Sequence, residues 1–480
     1  MADYRLEHDL LGEREVPAER YYGIQTLRAQ ENFQITGIPI SHYPHLIRSL
    51  AYIKKAAALA NHELGLLPEG IKDAIAQACD RILEGEYLDE FLVDVIQGGA
   101  GTSTNMNANE VIANVALEIS GHQKGQYDII HPLNHVNMSQ STNDVYPTAL
   151  RLTLYMKLNN LVDEMSFLMD ALSEKGLEFA DVIKMGRTQL MDAVPMMLGQ
   201  EFEAYAVTVG EDIQRVKEAQ ILIREINMGA TAIGTGLNAH PDYAALVTRI
   251  LCEQSGIPVV KSQNLVEATQ DTGGYVQLSG VLKRVAVKLS KICNDLRLLS
   301  SGPRAGLGEI NLPPVAPGSS IMPGKVNPVI PEVVNQVAFE VIGNDVTVTM
   351  AAEAGQLELN AFEPVIAYNL FTSIDMLTRA CRTLAERCIK GITANRERTR
   401  QMVENSIGLV TALNPVIGYE KSTEIAHEAL ESGRSVYEIV LEKGYLTREE
   451  LEDLLSVEKM TKPRVQKPEV RGQKPVSSEQ

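Results

Sequence analysis

The chain has no apolar run long enough to cross a bilayer and no apolar leader of the signal-peptide kind. Its opening residues, MADYRLEHDLLGEREVPAERYYG, are charged instead, so a cytoplasmic location is expected. Cysteine is scarce and odd in number: Cys79, Cys252, Cys293, Cys381 and Cys388, with no CxxC pair among them. That pattern argues against a disulfide framework or a zinc knuckle. Positive charge is in deficit, with 44 Lys+Arg against 62 Asp+Glu and a formal charge of -18. Phosphate-rich partners would be repelled, so neither nucleic acid nor a membrane surface is expected as a partner. A small anion is still allowed, because a local site can be electropositive within an acidic protein. Strand-like alternation is scarce, which argues against a doubly wound sheet. No solenoid-period repeat, Walker loop, nucleophile elbow or Ser-His-Asp order occurs.

What the chain has is helical periodicity. Its 480 residues, 45% hydrophobic and 22% charged, suffice for a large core and roughly three domains. Leu278, Val281, Val285, Leu289, Ile292, Leu296 and Leu299 step by three or four residues along one helix face. Ser300, Ser301, Gly302 and Pro303 then stop that helix. A second stripe runs Ile366, Leu370, Ile374, Leu377, Cys381, Leu384 and Cys388. A third runs Val209, Ile213, Val216, Ile223 and Ile226, and a fourth follows Pro147 through Leu150, Leu154, Leu158 and Leu161. Such seams read as core. Helices of ~20 residues in succession predict an all-α, elongated bundle. Their apolar surface exceeds what one chain covers, so packing across subunits is expected.

The expected domains are residues 1–143, with a helix near Leu46–Leu64; a central bundle, 144–392; and a small C-terminal helical domain, 393–461, carrying the Asn414-Pro415 turn. Residues 462–480, rich in Pro, Lys, Gln and Ser, are expected to be a disordered tail.

Four polar segments interrupt this helical chain: residues 97–105 (QGGAGTSTN), 137–144 (NMSQSTND), 186–192 (GRTQLMD) and 317–328 (PGSSIMPGKVNP). Hydroxyls, amides and free backbone N–H groups are what a dicarboxylate requires, because each buried acceptor oxygen must find a donor. Loops that run into helices add the positive end of a dipole. Read alone, GGAGTS is a turn before a helix, and SQSTND is an N-cap. GSSIMPGKVNP resists such a reading, because it is poor capping chemistry and poor core. Glycines at 318 and 324 suggest the hinges of a mobile loop. His131 and His135 lie four apart, but Pro132 and the lack of a third ligand argue against a metal. Glu201 and Glu203 face different ways on a helix and read as solvated or cap-linked.

At residues 318–328 the chain resembles the signature loop of the fumarase/aspartase superfamily of lyases. The other polar segments fall in that family's order, and the resemblance extends from Tyr21–Gln25 to Asn414–Tyr419. It implies a three-domain, all-α fold whose central helices assemble a twenty-helix core in a homotetramer. Each active site would be shared by three subunits. Water-adding members usually read SQSSND, GRTHLQDA and Thr-Gln after Asn-Pro. Here Thr142 stands in SQSTND, Gln189 replaces the histidine, and Val329-Ile330 follows Pro328. These departures imply the ammonia-eliminating branch, acting on L-aspartate to give fumarate and ammonia, with fumarate hydration as the alternative. Met191, where Gln is common, is a further departure. Ser319 would be the catalytic base. Thr102, Ser141 and Thr142 would contact the β-carboxylate, with Ser320 from the serine loop. Asn143, Thr188 and Gln189 would lie near the amino group and α-carboxylate, and Lys325 and Asn327 would anchor the latter. No cofactor and no metal are implied.

Overall fold

Amphipathic stretches that repeat every three or four residues fold here as long helices, and the computed structural model describes them over residues 3–462. The tail expected beyond Lys462 lies outside the described residues. A hairpin of β1 (Tyr4–Asp9) and β2 (Gly12–Pro17) leads into α1 (Ile24–Asn32), α2 (Pro44–Glu63), α3 (Glu69–Leu83) and α4 (Thr102–Ile119). The 37-residue α5 (Thr142–Glu178) follows, then a second hairpin, β3 (Ile183–Thr188) with β4 (Met191–Met197). Next come α6 (Leu198–Leu222), α7 (Tyr243–Ser255), α8 (Leu265–Gln270), α9 (Gly273–Leu299), α10 (Val329–Glu353) and α11 (Glu363–Arg387). Short helices α12 (Arg396–Glu404), α13 (Val410–Ile417), α14 (Tyr419–Ser432), α15 (Val436–Glu442), α16 (Arg448–Leu454) and α17 (Val457–Thr461) complete the described chain. Among the described residues the sheets are all two-stranded, so the fold is mainly α as expected.

The chain divides into two compact units. One comprises Met1–Leu168, Thr208–Cys293 and Glu332–Thr383. The other comprises Met169–Val207, Asn294–Pro331 and the described residues from Leu384 onward. The stripes on α9 and α11 are core, with Leu278, Leu296, Ile374 and Leu384 fully buried. Cys79, Cys293, Cys381 and Cys388 are also buried, and all five cysteines are free thiols. In the second unit, Leu413, Ile425, Ile439, Val440 and Leu451 form a core joining α13 to α16.

Two helix boundaries differ from the sequence expectation. The third stripe does not stay helical: α6 ends at Leu222, and Ile226 lies in a two-residue strand paired with Val260–Lys261. Burial alone continued the periodicity there. The fourth helix does not wait for Pro147 but starts at Thr142. Pro147 has no N–H to offer the Asn143 carbonyl four residues back. Asn227 Nδ2 supplies the missing donor at 3.0 Å, so the proline is accommodated.

The α4 helix is the most informative element of the first unit. Residues Thr104–Leu117 are buried without a break, although Asn105, Asn107, Asn109, Glu110 and Asn114 are among them. Buried polar groups call for partners, and Asn107, Glu110 and Asn114 find theirs in the segments flanking the helix. Asn107 bonds the backbone of Glu90 and Leu92, and Asn114 bonds Tyr21, Gly125 and Tyr127. Glu110 accepts the N–H groups of Gly23, Gln25 and Thr26 and the Thr26 hydroxyl. The helix therefore serves as an internal post to which the flanking segments are tied.

Candidate active site

The first unit holds Thr102, Ser141, Thr142 and Asn143. Thr102 opens α4 behind Gly101, whose φ of +92° lies in the left-handed region. A Cβ at Gly101 would meet the Tyr146 ring at 2.3 Å, so both conformation and space demand glycine there. The Thr102 hydroxyl is exposed and donates to the Gly99 carbonyl at 2.8 Å. The turn reading of GGAGTS is thus correct as local structure.

The SQSTND segment opens α5, as its capping residues suggest. Ser141 Oγ accepts the Asn143 N–H at 3.2 Å, and Asp144 Oδ1 accepts the Ser141 N–H at 2.9 Å. Asp144 is fully buried and also accepts N–H groups from Gly229 and Thr231. Burial pushes its carboxyl up to about 7 against these three donors. Asn143 Nδ2 donates to the Ala232 carbonyl at 2.7 Å, which leaves its side-chain oxygen as an acceptor.

Behind this segment lies a buried cation. Lys54, on α2, is fully buried, and its Nζ reaches Asn105 Oδ1 at 2.7 Å, Gln140 Oε1 at 2.9 Å and Asn137 Oδ1 at 3.0 Å. Desolvation pulls its pKa down to about 7, and the Asp144 charge opposes that shift. Asn105 Nδ2 in turn donates to Thr142 Oγ1 at 3.1 Å. One network therefore joins α2, α4 and the start of α5. Sequence reasoning missed Lys54, Asn105, Asn137, Gln140 and Asp144 as site-building residues. The available signal was a lysine within the apolar run IKKAAALA and the asparagine-rich opening of α4. His131 caps a short π-helical turn, Pro132–Val136, and both histidine Nδ1 atoms accept backbone N–H groups there.

The second unit holds Thr188, Gln189, Ser319, Ser320, Lys325 and Asn327. The GRTQLMD segment is not a loop between helices but the tip of the β3–β4 hairpin. Gln189 and Leu190 form its two-residue turn with φ of 54° and 66°, between paired Thr188 and Met191. Non-glycine residues at both positions of such a turn carry strain. A buried ionic cluster braces the hairpin: Glu309, with no exposure, meets Arg187 at 2.5 Å and Lys184 at 3.1 Å. Lys184 also meets Glu201 at 2.5 Å, so Glu201 is ion-paired rather than solvated, while Glu203 accepts the Ser173 hydroxyl.

The GSSIMPGKVNP segment is an irregular, largely exposed loop. Gly318 N–H donates to the Lys325 carbonyl at 2.9 Å, and Asn327 Nδ2 donates to the Gly318 carbonyl at 2.6 Å. Gly318 is thus a pinch point rather than a free hinge: a Cβ would meet the Lys325 carbonyl oxygen at 2.3 Å. Within the loop, Ser319 Oγ accepts N–H groups from Met322 at 3.0 Å and Ile321 at 3.3 Å. Ser320 and Lys325 are exposed, and Ser319 and Asn327 are half-buried.

The local chemistry is a set of hydroxyl and amide groups in one unit, and a serine oxygen facing two N–H donors in the other. With that geometry in view, the comparisons with known proteins are specific. A family model described as Lyase matches residues 12–343, and one described as Fumarase C C-terminus matches residues 409–462. The chain belongs to this lyase family, within the fumarase/aspartase superfamily. It is 63% identical over 459 residues to the aspartate ammonia-lyase of Helicobacter pylori (strain ATCC 700392 / 26695), covering 96% of this chain and 98% of that protein. It is 56% identical over 460 residues to the aspartate ammonia-lyase of Escherichia coli (strain K12), covering 96% of each. A crystal structure described as fumarate lyase:delta crystallin from Brucella melitensis bound to cobalt is 58% identical, with a TM-score of 0.94 over 96% of this chain and 100% of that one.

Proposed function

We propose that this protein is an aspartate ammonia-lyase that eliminates ammonia from L-aspartate to give fumarate, with Ser319 as the base. The observation that carries the base assignment is the Ser319 oxygen receiving two backbone N–H groups. A free hydroxyl is a poor base, and hydrogen bonds to the charged form favour an alkoxide. In the reaction, Ser319 takes a proton from the carbon beside the β-carboxylate. The electron pair moves onto that carboxylate, giving a dianionic aci-carboxylate. The pair then returns to form the C=C bond as the C–N bond breaks, and its electrons leave with nitrogen as ammonia. The developing charge needs donors already in place, usually the largest catalytic term. Thr102, Ser141, Thr142 and backbone at Ser320 take that role. The Asn143 side-chain oxygen, freed by the bond to Ala232, suits an amine donor; Thr188 and Gln189 lie beside it in this reading. Lys325 and Asn327 hold the α-carboxylate.

The two sets of residues come together in a homotetramer, with three subunits contributing to each site. Exposed apolar side chains on α10, including Phe339, Val346 and Met350, favour helix packing between copies of the chain. The free thiols suit the reducing cytoplasm. Among the described residues no helix is long and apolar enough to cross a membrane. The test is ultraviolet detection of fumarate from purified protein given L-aspartate, run beside malate formation from fumarate. Malate without ammonia release would overturn the assignment in favour of a hydratase.

A further inference from the structure

The Lys54 network has a directional property that the proposed reaction does not by itself require. An ammonium only donates hydrogen bonds, and it has three to give. It therefore fixes the oxygens, not the nitrogens, of Asn105, Asn137 and Gln140 toward itself. For Asn105, whose residue is 1% exposed, this leaves the amide nitrogen turned away from Lys54. That nitrogen donates to Thr142 Oγ1 at 3.1 Å and to Asn137 Oδ1 at 3.1 Å. The Asn137 oxygen also accepts from Asn109 Nδ2, so it holds the same polarity from a third side. Thr142 Oγ1 is consequently an acceptor toward the protein interior, and its proton is left for an outward partner.

We propose that Lys54 is a positioning residue that, through Asn105, sets the Thr142 hydroxyl as a donor toward a substrate carboxylate. This rests on the placement of Thr142 at the β-carboxylate given above. Were the Asn105 amide reversed, its oxygen would face Thr142, the hydroxyl would donate inward, and a lone pair would meet the carboxylate. The buried charge thus acts on the substrate without touching it. Burying a lysine is costly, and well-placed acceptors offset that cost only in part. A role in orienting a donor gives the site a reason to carry it.

The test uses Asn105→Asp, which keeps the shape, keeps Lys54 paired and presents only acceptor oxygens to Thr142. Thr142→Val and the double variant complete a cycle. The full-length protein is titrated with succinate, a four-carbon diacid without an amine, by calorimetry, and its turnover of L-aspartate is measured. Asn105→Asp and Thr142→Val should each weaken succinate binding about tenfold. Each should also lower kcat/KM by about 100-fold. The double variant should lose no more than either alone, and Asn105→Asp should still unfold in one cooperative transition, at a lower temperature than the parent because it also gives up the bond to Asn137 Oδ1. Retained binding and kcat/KM in Asn105→Asp, or losses that multiply in the double variant, would overturn the proposal. Succinate binding without aspartate turnover by the parent protein would reject the lyase reading while the binding cycle still decides this one. A parent protein that neither binds succinate nor turns over L-aspartate would overturn both.

Discussion

The two sets of candidate residues are built in opposite ways. Around Thr142 a network is committed: Lys54, Asn105, Asn137 and Gln140 are tied to one another, and Asp144 takes three N–H groups. Around Ser319 the chain is irregular and exposed, held at its base by the Gly318–Lys325 and Asn327–Gly318 bonds. The first arrangement suits groups that must already point the right way when charge develops, because reorientation in the transition state costs rate. The second suits a group delivered by closure, since segments with few buried contacts open most easily. The contrast teaches that preorganisation and mobility are assigned to different stretches of one chain.

Substitutions at four positions break or sharpen this contrast. The largest effect is expected from Ser319→Ala, which should lower kcat by at least about 1,000-fold while leaving the melting temperature unchanged. Near-normal fumarate production would reject the base. Glu110→Ala belongs to the committed half and should act on stability instead. It orphans donors at Gly23, Gln25 and Thr26, so a loss of about 3 kcal/mol is expected in denaturant unfolding. The same residue predicts a pH dependence. Burial pushes its carboxyl up to about 7 from 4.5, so the folded chain holds that proton more tightly than the unfolded one. Its stabilising contribution is present below about 4.5 and lost as pH rises through 7. Glu110→Gln should make the fall in stability over that window shallower, and an unchanged slope would show that another group governs it.

Lys325→Ala, on the exposed loop, should raise KM for L-aspartate about tenfold with little change in stability, since it removes a cation opposite a carboxylate. An unaltered KM would remove Lys325 from the α-carboxylate. The smallest effect is expected at the hairpin tip. Leu190→Gly should stabilise the protein by about 1 kcal/mol, because Leu190 sits at φ 66° and glycine has no Cβ to strain there. Thermal unfolding of this variant at lower temperature than the parent would refute stored strain in the turn.

Much of the fold is legible in the amino-acid order. The stripes on α9 and α11 predict their helices to within a few residues, because a buried face in a long helix leaves a mark at every turn. The GSSIMPGKVNP loop stands out because its composition suits neither cap nor core. Other features are not legible, for definite reasons. Pro147 conceals the start of α5, since the donor that excuses it, on Asn227, lies 84 residues beyond the Asn143 carbonyl it serves. The β3–β4 turn has Gln-Leu where Asn-Gly would announce a hairpin.

The amino-acid order by itself determined the helices, the capping segments and the family, because periodicity, capping chemistry and motif are local in the chain. It did not reveal that Lys54 is buried, or that Asn105 shows Thr142 its nitrogen. Those facts depend on groups from three separate segments meeting in one desolvated place. Only there does an ammonium dictate which way an amide must face, since in water either orientation would be satisfied at no cost.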